Sequence, residues 1–313
     1  MGEAPHPDRP SAIPVAMPRD RGRSLNLICR SVVRIWKCHA VMVEALSKKW
    51  AYATKGIEQM NNTLHALSSG DGAHVVLLHG LFGQGSNLRG VARALQSEFA
   101  VHCVDLPDHG RSMWLEHASL SDYAGCVSSW MHDEGICRAH ILGHSLGGKV
   151  AMQLALSWPE QVDKLVVADV APVAYEGNHN TILAALDAVA ERGCASRAEA
   201  EAILRDTISD QKIVSYLLMS LARGGEYYEW RFHLKGLKDG YARLRESPNG
   251  CESHSGSTLF LRGADSAYVE PQHELAIARR FPNSVVETLQ GAGHWLHVDQ
   301  PERFNAAVAA FLT

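Results

Sequence analysis

The hexapeptide GHSLGG at residues 143–148 constrains this chain more than any other stretch, because of what flanks it. RAHILGHS (138–145) is short, apolar and reads as a buried strand; LGGKVAMQLALSW (146–158) has helical spacing and is stopped by Pro159. A serine inside G-x-S-x-G at a strand-to-helix junction suits a tight, strained turn that lifts its hydroxyl clear of a sheet, a path bulkier neighbours would obstruct. The N–H of Leu146, in the first turn of the helix, would then face a developing oxyanion, helped by the helix dipole. Such a junction belongs to a fold of alternating strands and helices.

That alternation is visible from residue 60 onward. Strands are expected at 73–80, 100–106, 138–145, 162–170, 257–263 and 284–291, and helices at 86–99, within 121–133, at 146–158, at 271–281 and from Pro301 to about Leu312. The pattern implies an α/β domain, a mostly parallel central sheet flanked by helices, spanning 60–313. It breaks between about 173 and 254, which read as an inserted helical cap. Within this interval the cluster GGEYYEWRFHL brings Tyr227, Tyr228, Trp230 and Phe232 together, either to line an acyl pocket or, more simply, to pack the cap.

Charge separates the N-terminal segment from the rest. Residues 1–59 carry ten Lys and Arg against five Asp and Glu, leaving twenty against twenty-nine for the remainder, so no nucleic-acid surface is expected on the folded part. Residues 1–59 are expected to be an extension, disordered or partly helical, with neither a clean secretory signal nor a convincing transit peptide. No apolar run reaches membrane-spanning length. The seven cysteines contain no CxxC pair, which argues against a disulfide framework or a zinc site and for a reducing, cytoplasmic setting. The histidines show no HExxH or paired ligand spacing, so neither metal nor cofactor is expected.

Three other segments carry candidate chemistry. HGLFG (79–83) closes a strand and opens a glycine-rich loop, where a second oxyanion N–H is expected from Leu81, with Phe82 as the alternative; His79 belongs to this loop and is expected to hydrogen-bond within it. GAGHWLH (291–297) follows the last strand and supplies His294, an imidazole placed to take the serine proton and return it to a leaving group. His297 is expected to be structural. Asp105, opening DLPDHGRS, is expected to hold a loop by accepting backbone N–H groups.

The carboxylate partner of His294 has two candidates. Asp265 lies in RGADSAYV after the 257–263 strand, but counting three from Gly263, where a G-x-x-D acid would stand, reaches Ser266. Side chains alternate near a strand end, so a shift of one residue can turn a carboxylate away. Asp169, in VVADVAP, ends the strand after the nucleophile strand, and sequential strands usually lie side by side.

Taken together, LLHGLFG, DLPDHGRS, GHSLGGKVAM, VVADVAPVAY and AGAGHWLH resemble the α/β-hydrolase superfamily, and within it the compact esterases of the YbfF type, related to the animal abhydrolase-domain proteins. The resemblance covers about residues 60–313. It implies hydrolysis of short- to medium-chain carboxylic esters, with acyl-CoA thioesters as a further class, on small-molecule substrates and without cofactor. It also implies Asp169 as the acid and Ser266 as its helper, while the Asp265 found where the family has Asn leaves a second acid open. Fold alone leaves room for C–C or amide hydrolysis, or for a slow-turnover ligand receptor.

Overall fold

The structure, a computed structural model, describes residues 63–313; the expectation for 1–59 and the first residues of the expected 60–313 domain fall outside the described residues. A seven-stranded sheet runs in the order β1-β3-β2-β4-β5-β8-β9. Its strands are β1 Ala66–Ser69, β2 Ala73–Leu78, β3 Phe99–Val104, β4 Ala139–His144, β5 Val162–Ala168, β8 Thr258–Gly263 and β9 Ser284–Leu289. All neighbours pair in parallel except β1, which runs antiparallel to β3 at the edge. The expected mostly parallel sheet is therefore present, with one short edge strand that the four residues ALSS did not announce.

Period-two alternation places each central strand between two apolar layers. Val76 and Leu78 of β2, Ile141 of β4 and Leu165 and Val167 of β5 face one core; Val75, Leu77, Leu142, Val166 and Ala168 face the other. Helices α2 (Leu120–Asp133) and α3 (Leu146–Ser157) cover the first face, and α1 (Arg89–Leu95) and α10 (Pro301–Leu312) the second. Every residue from Leu146 to Leu156 is buried, so α3 is enclosed all round. Among the described residues, no helix is long and apolar enough to cross a membrane.

The strands end sooner than the sequence suggested. Residues 79–80, 105–106, 145 and 169–170 leave the sheet, and Phe82, Ser145 and Asp169 take positive φ values of 64°, 54° and 52°. A strand cannot continue through such a residue, so the carboxyl edge of the sheet breaks into loops. The 86–99 segment likewise divides into a 3₁₀ turn, Gly85–Leu88, and α1, before β3 begins at Phe99.

Between β5 and β8 lie α4 (Asn180–Arg192), α5 (Arg197–Thr207), α6 (Gln211–Met219), β6 (Leu221–Gly224), β7 (Tyr227–Trp230) and α7 (Leu234–Leu244). The interval is mostly helical; the hairpin β6–β7 is the exception to that reading. Its aromatic residues favour a pleated surface, and Gly225, at φ 72°, supplies the left-handed turn. Trp230 stacks on Phe232 and donates its indole N–H to the Leu186 carbonyl at 3.0 Å, so these aromatics pack this insert.

One side chain closes the neck of the insert. Lys149, buried in α3, donates to the carbonyls of Val173 at 2.7 Å and Arg245 at 2.9 Å, and also to that of Glu246. One turn later Gln153 exchanges hydrogen bonds with Asn249. After α8 (Glu274–Arg280) and β9, the chain makes the short helix α9 (Leu296–Asp299) and ends in α10.

Candidate active site

Four neighbouring strands deliver one candidate each. Ser145 follows β4, Asp169 follows β5, Ser266 follows β8 and His294 follows β9, strands that are adjacent in the order β4-β5-β8-β9. Ladder-like bonds carry this alignment past the strand ends: Ser145 N–H donates to Ala168 at 3.0 Å and Asp169 N–H to Leu261 at 2.8 Å. Residues 125 apart in sequence are thereby brought within one hydrogen bond, His294 Nδ1 lying 2.8 Å from Asp169 Oδ2.

Ser145 sits at φ 54°, ψ −117°, directly before α3. The turn depends on close backbone approach, because a Cβ on Gly143 would lie 2.1 Å from the Gly147 carbonyl oxygen and one on Gly147 2.2 Å from that of Leu78. The Ser145 hydroxyl has no hydrogen-bond partner among the described residues and, with His294, lines a cavity of about 410 Å³. Leu146 N–H is the first of α3, a position without an intrahelical acceptor.

Asp169 is fully buried. Besides the histidine, its carboxylate accepts from Gly263 N–H at 3.1 Å and from the Ser266 hydroxyl, so its burial is compensated by three donors. Asp265 is placed elsewhere. It is exposed at the cavity rim, only its backbone N–H is bonded, to Ala292 at 3.0 Å, and its carboxylate has no partner among the described residues. The slot three residues after Gly263 faces Asp169; the slot before it faces out.

In the 79–83 loop the structure removes the Phe82 alternative, while His79 bonds within the loop as expected. Phe82 lines the cavity, but its N–H donates to His109 Nε2 at 3.1 Å, which removes it as a free donor. His79 is buried behind the loop rather than at the cavity: its Nε2 accepts from Leu106 N–H at 3.0 Å and its Nδ1 donates to the Gly80 carbonyl at 2.8 Å. Leu81 remains on the cavity wall, and its N–H has no acceptor among the described residues. Asp105 accepts from Gly85 and Arg111 N–H at 2.6 and 3.0 Å, bracing this loop from below.

Other residues at the site carried no assignment from the sequence. The Tyr268 ring stacks on His294 with centroids 4.0 Å apart, and His144 Nε2 donates to the His294 carbonyl at 2.8 Å. His109 could have been found in the D-x-P-x-H-G turn, where its fixed spacing from Asp105 was the signal; Tyr216, in α6, offered none. Among the described residues, no group of three His, Cys, Asp or Glu is placed to hold a metal.

Burial keeps several of these imidazoles neutral. It lowers His144 and His79 below the usual histidine range, His109 to about 3, and His297 and His179 to about 4. In the unfolded chain each would titrate near 6.5, so below that pH the unfolded state binds more protons than the native one. Their contribution is complete above about pH 6.5 and is lost progressively as pH falls toward 4. At pH 5 the loss is on the order of 2 kcal/mol per fully depressed histidine. We expect Tm to drop by about 10 °C or more between pH 7 and pH 5; melting curves that superimpose across this interval would contradict it.

The comparisons agree with this architecture. Residues 75–307 match the family described as the alpha/beta hydrolase family. The sn-1-specific diacylglycerol lipase ABHD11 of Mus musculus is 36% identical over 246 residues, covering 76% of this chain and 80% of that protein. Esterase YbfF of Escherichia coli (strain K12) is 33% identical over 239 residues, covering 76% of this chain and 92% of that protein. A solved marine microorganism esterase superposes with a TM-score of 0.77 at 30% identity, covering 80% of this chain and all of that one. With an elbow at Ser145, a histidine loop after the last strand and a matching family pattern over most of its length, this chain belongs to the alpha/beta hydrolase family.

Proposed function

We propose that the protein is a serine carboxylesterase that hydrolyses short- to medium-chain carboxylic esters through an acyl-enzyme. The observation that carries this reading is the convergence of Ser145, whose hydroxyl has no partner among the described residues, and of His294, tied at 2.8 Å to Asp169, on one cavity of about 410 Å³. A pocket of this size suits a small ligand. The names of its relatives, an esterase and a diacylglycerol lipase, support ester hydrolysis.

In this reading Ser145 Oγ attacks the acyl carbonyl while His294 Nε2 takes its proton. Asp169 accepts from Nδ1–H, fixing the tautomer and stabilising the imidazolium, and Ser266 steadies the carboxylate. The N–H groups of Leu146 and Leu81 receive the oxyanion. The proton then passes to the alkoxide leaving group, and water, deprotonated by His294, releases the acid and restores Ser145. An acyl-CoA thioester is served by the same steps, with a thiolate leaving.

A chain-length series of p-nitrophenyl esters, combined with labelling by a fluorophosphonate and peptide mapping, tests the proposal. We expect turnover with an optimum at short to medium acyl chains, and the label on Ser145. No burst and no turnover across the series, or a label on another residue, would sink it.

A further inference from the structure

Helix α6 of the insert presents Lys212, Ile213, Tyr216 and Leu217 to the cavity, and its polar groups reach past the cavity to the backbone of the 79–83 loop. The Tyr216 hydroxyl donates to the Leu81 carbonyl at 3.0 Å, and Ser220, at the C-cap of the helix, donates to the Phe82 carbonyl at 2.6 Å. The approach is close enough to dictate sequence: a Cβ on Gly83 would lie 2.4 Å from the Tyr216 oxygen.

These bonds fix successive peptide planes. The Leu81–Phe82 unit is held at both ends, its carbonyl by Tyr216 and its N–H by His109. The Phe82–Gly83 unit is held likewise, its carbonyl by Ser220 and its N–H by the Gly80 carbonyl at 3.0 Å. The Gly80 carbonyl takes a second bond from His79, so in the trans Gly80–Leu81 unit the Leu81 N–H must point the opposite way. With its own carbonyl held by two donors and the Leu81–Phe82 unit after it clamped, this peptide cannot turn that N–H aside without breaking those bonds.

The same helix also grips the histidine loop. Lys212 Nζ lies 2.6 Å from Asp299 Oδ1, while Asp299 Oδ2 accepts Gly293 N–H at 2.9 Å, next to His294. The Tyr216 ring packs against Trp295 with centroids 5.6 Å apart.

We infer that α6 is a working part of the oxyanion site: Tyr216 and Ser220 are positioning residues that aim the Leu81 N–H, so the site is assembled only while this helix is docked. The inference rests on the esterase reading. Removal of one oxyanion donor typically costs a hundred- to a thousandfold in turnover, and a donor freed to rotate loses part of that. Tyr216→Phe keeps the ring against Trp295 and removes only the hydroxyl.

The test measures kcat and KM on the best p-nitrophenyl ester, and the Ki of a matched alkyl trifluoromethyl ketone, for wild type, Tyr216→Phe and Ser220→Ala, with melting curves to confirm folding. We expect kcat to fall by about ten- to a hundredfold in each variant, KM to stay within about threefold, and Ki to rise by the factor lost in kcat/KM. Gly83→Ala should cost less in the Tyr216→Phe background than in wild type, because the clashing oxygen is gone. Normal wild-type turnover with kcat and Ki unchanged in both variants, or a change in KM alone, overturns the inference and spares the esterase reading. A wild type that turns over no ester overturns both.

Discussion

Asp169→Asn is expected to lower kcat by about 10⁴-fold with KM nearly unchanged, while Asp265→Asn stays within about threefold of wild type. The two residues differ in what surrounds them. The Asp169 carboxylate is fully buried and accepts from His294 Nδ1, Gly263 N–H and Ser266. An amide there must turn its NH₂ group toward Gly263 N–H or toward His294 and Ser266; facing His294, it forces the imidazole into the other tautomer, which presents N–H, not a lone pair, to Ser145. It also withdraws the charge that stabilises the imidazolium. Asp265, exposed and with a carboxylate that has no partner among the described residues, loses nothing comparable. Steady-state kinetics of the two variants on one ester decide the point, and collapse of turnover in Asp265→Asn with Asp169→Asn tolerated would reverse the assignment.

Ser145→Gly should have the opposite effects on turnover and on stability. Loss of the nucleophile is expected to remove at least about 10⁴-fold of kcat. Stability should rise by about 1 kcal/mol or more, because φ 54°, ψ −117° is costly for a side-chain-bearing residue and ordinary for glycine. Greater backbone entropy of glycine in the unfolded chain offsets part of that gain. In a domain of this size a Tm increase of about 2–4 °C follows. A Tm unchanged or lowered would mean the turn stores no strain, and retained turnover would remove Ser145 from the reaction.

The sheet was legible in the sequence wherever burial on both faces produced short β-branched runs, as in HVVLL and DKLVVA. Strand ends were not, because propensity extends a strand through any apolar residue, whereas Phe82, Ser145 and Asp169 turn the chain by tertiary constraint. The hairpin β6–β7 was missed for a related reason: an aromatic cluster inside a helical interval fits a helix face as well as a four-residue strand. At the site, counting from Gly263 separated Ser266 from Asp265, since direction alternates along a strand end and one residue changes what a side chain faces. Leu81 could be read as the first choice for the free N–H of the 79–83 loop, but what excludes Phe82 and holds the loop was not legible. That falls to His109 and to Tyr216, which come from distant elements and show no fixed spacing to that loop.

Lys149 has a consequence for how such a protein can change over generations. The chain leaves the sheet after Ala168 and returns to it at Thr258, and at Val173 and Arg245, on either side of the insert, it is fastened to one amino group. The excursion between them is thus closed at its base whatever its content, and closure entropy grows only slowly with the length of what is enclosed. Segments between these anchors are free to be lengthened, shortened or exchanged without re-laying the sheet beneath, and substrate preference can drift while the reacting groups stay where four strands put them. Such freedom is bounded by the oxyanion loop: a replacement must still set donors over the Leu81 and Phe82 carbonyls, as Tyr216 and Ser220 do here.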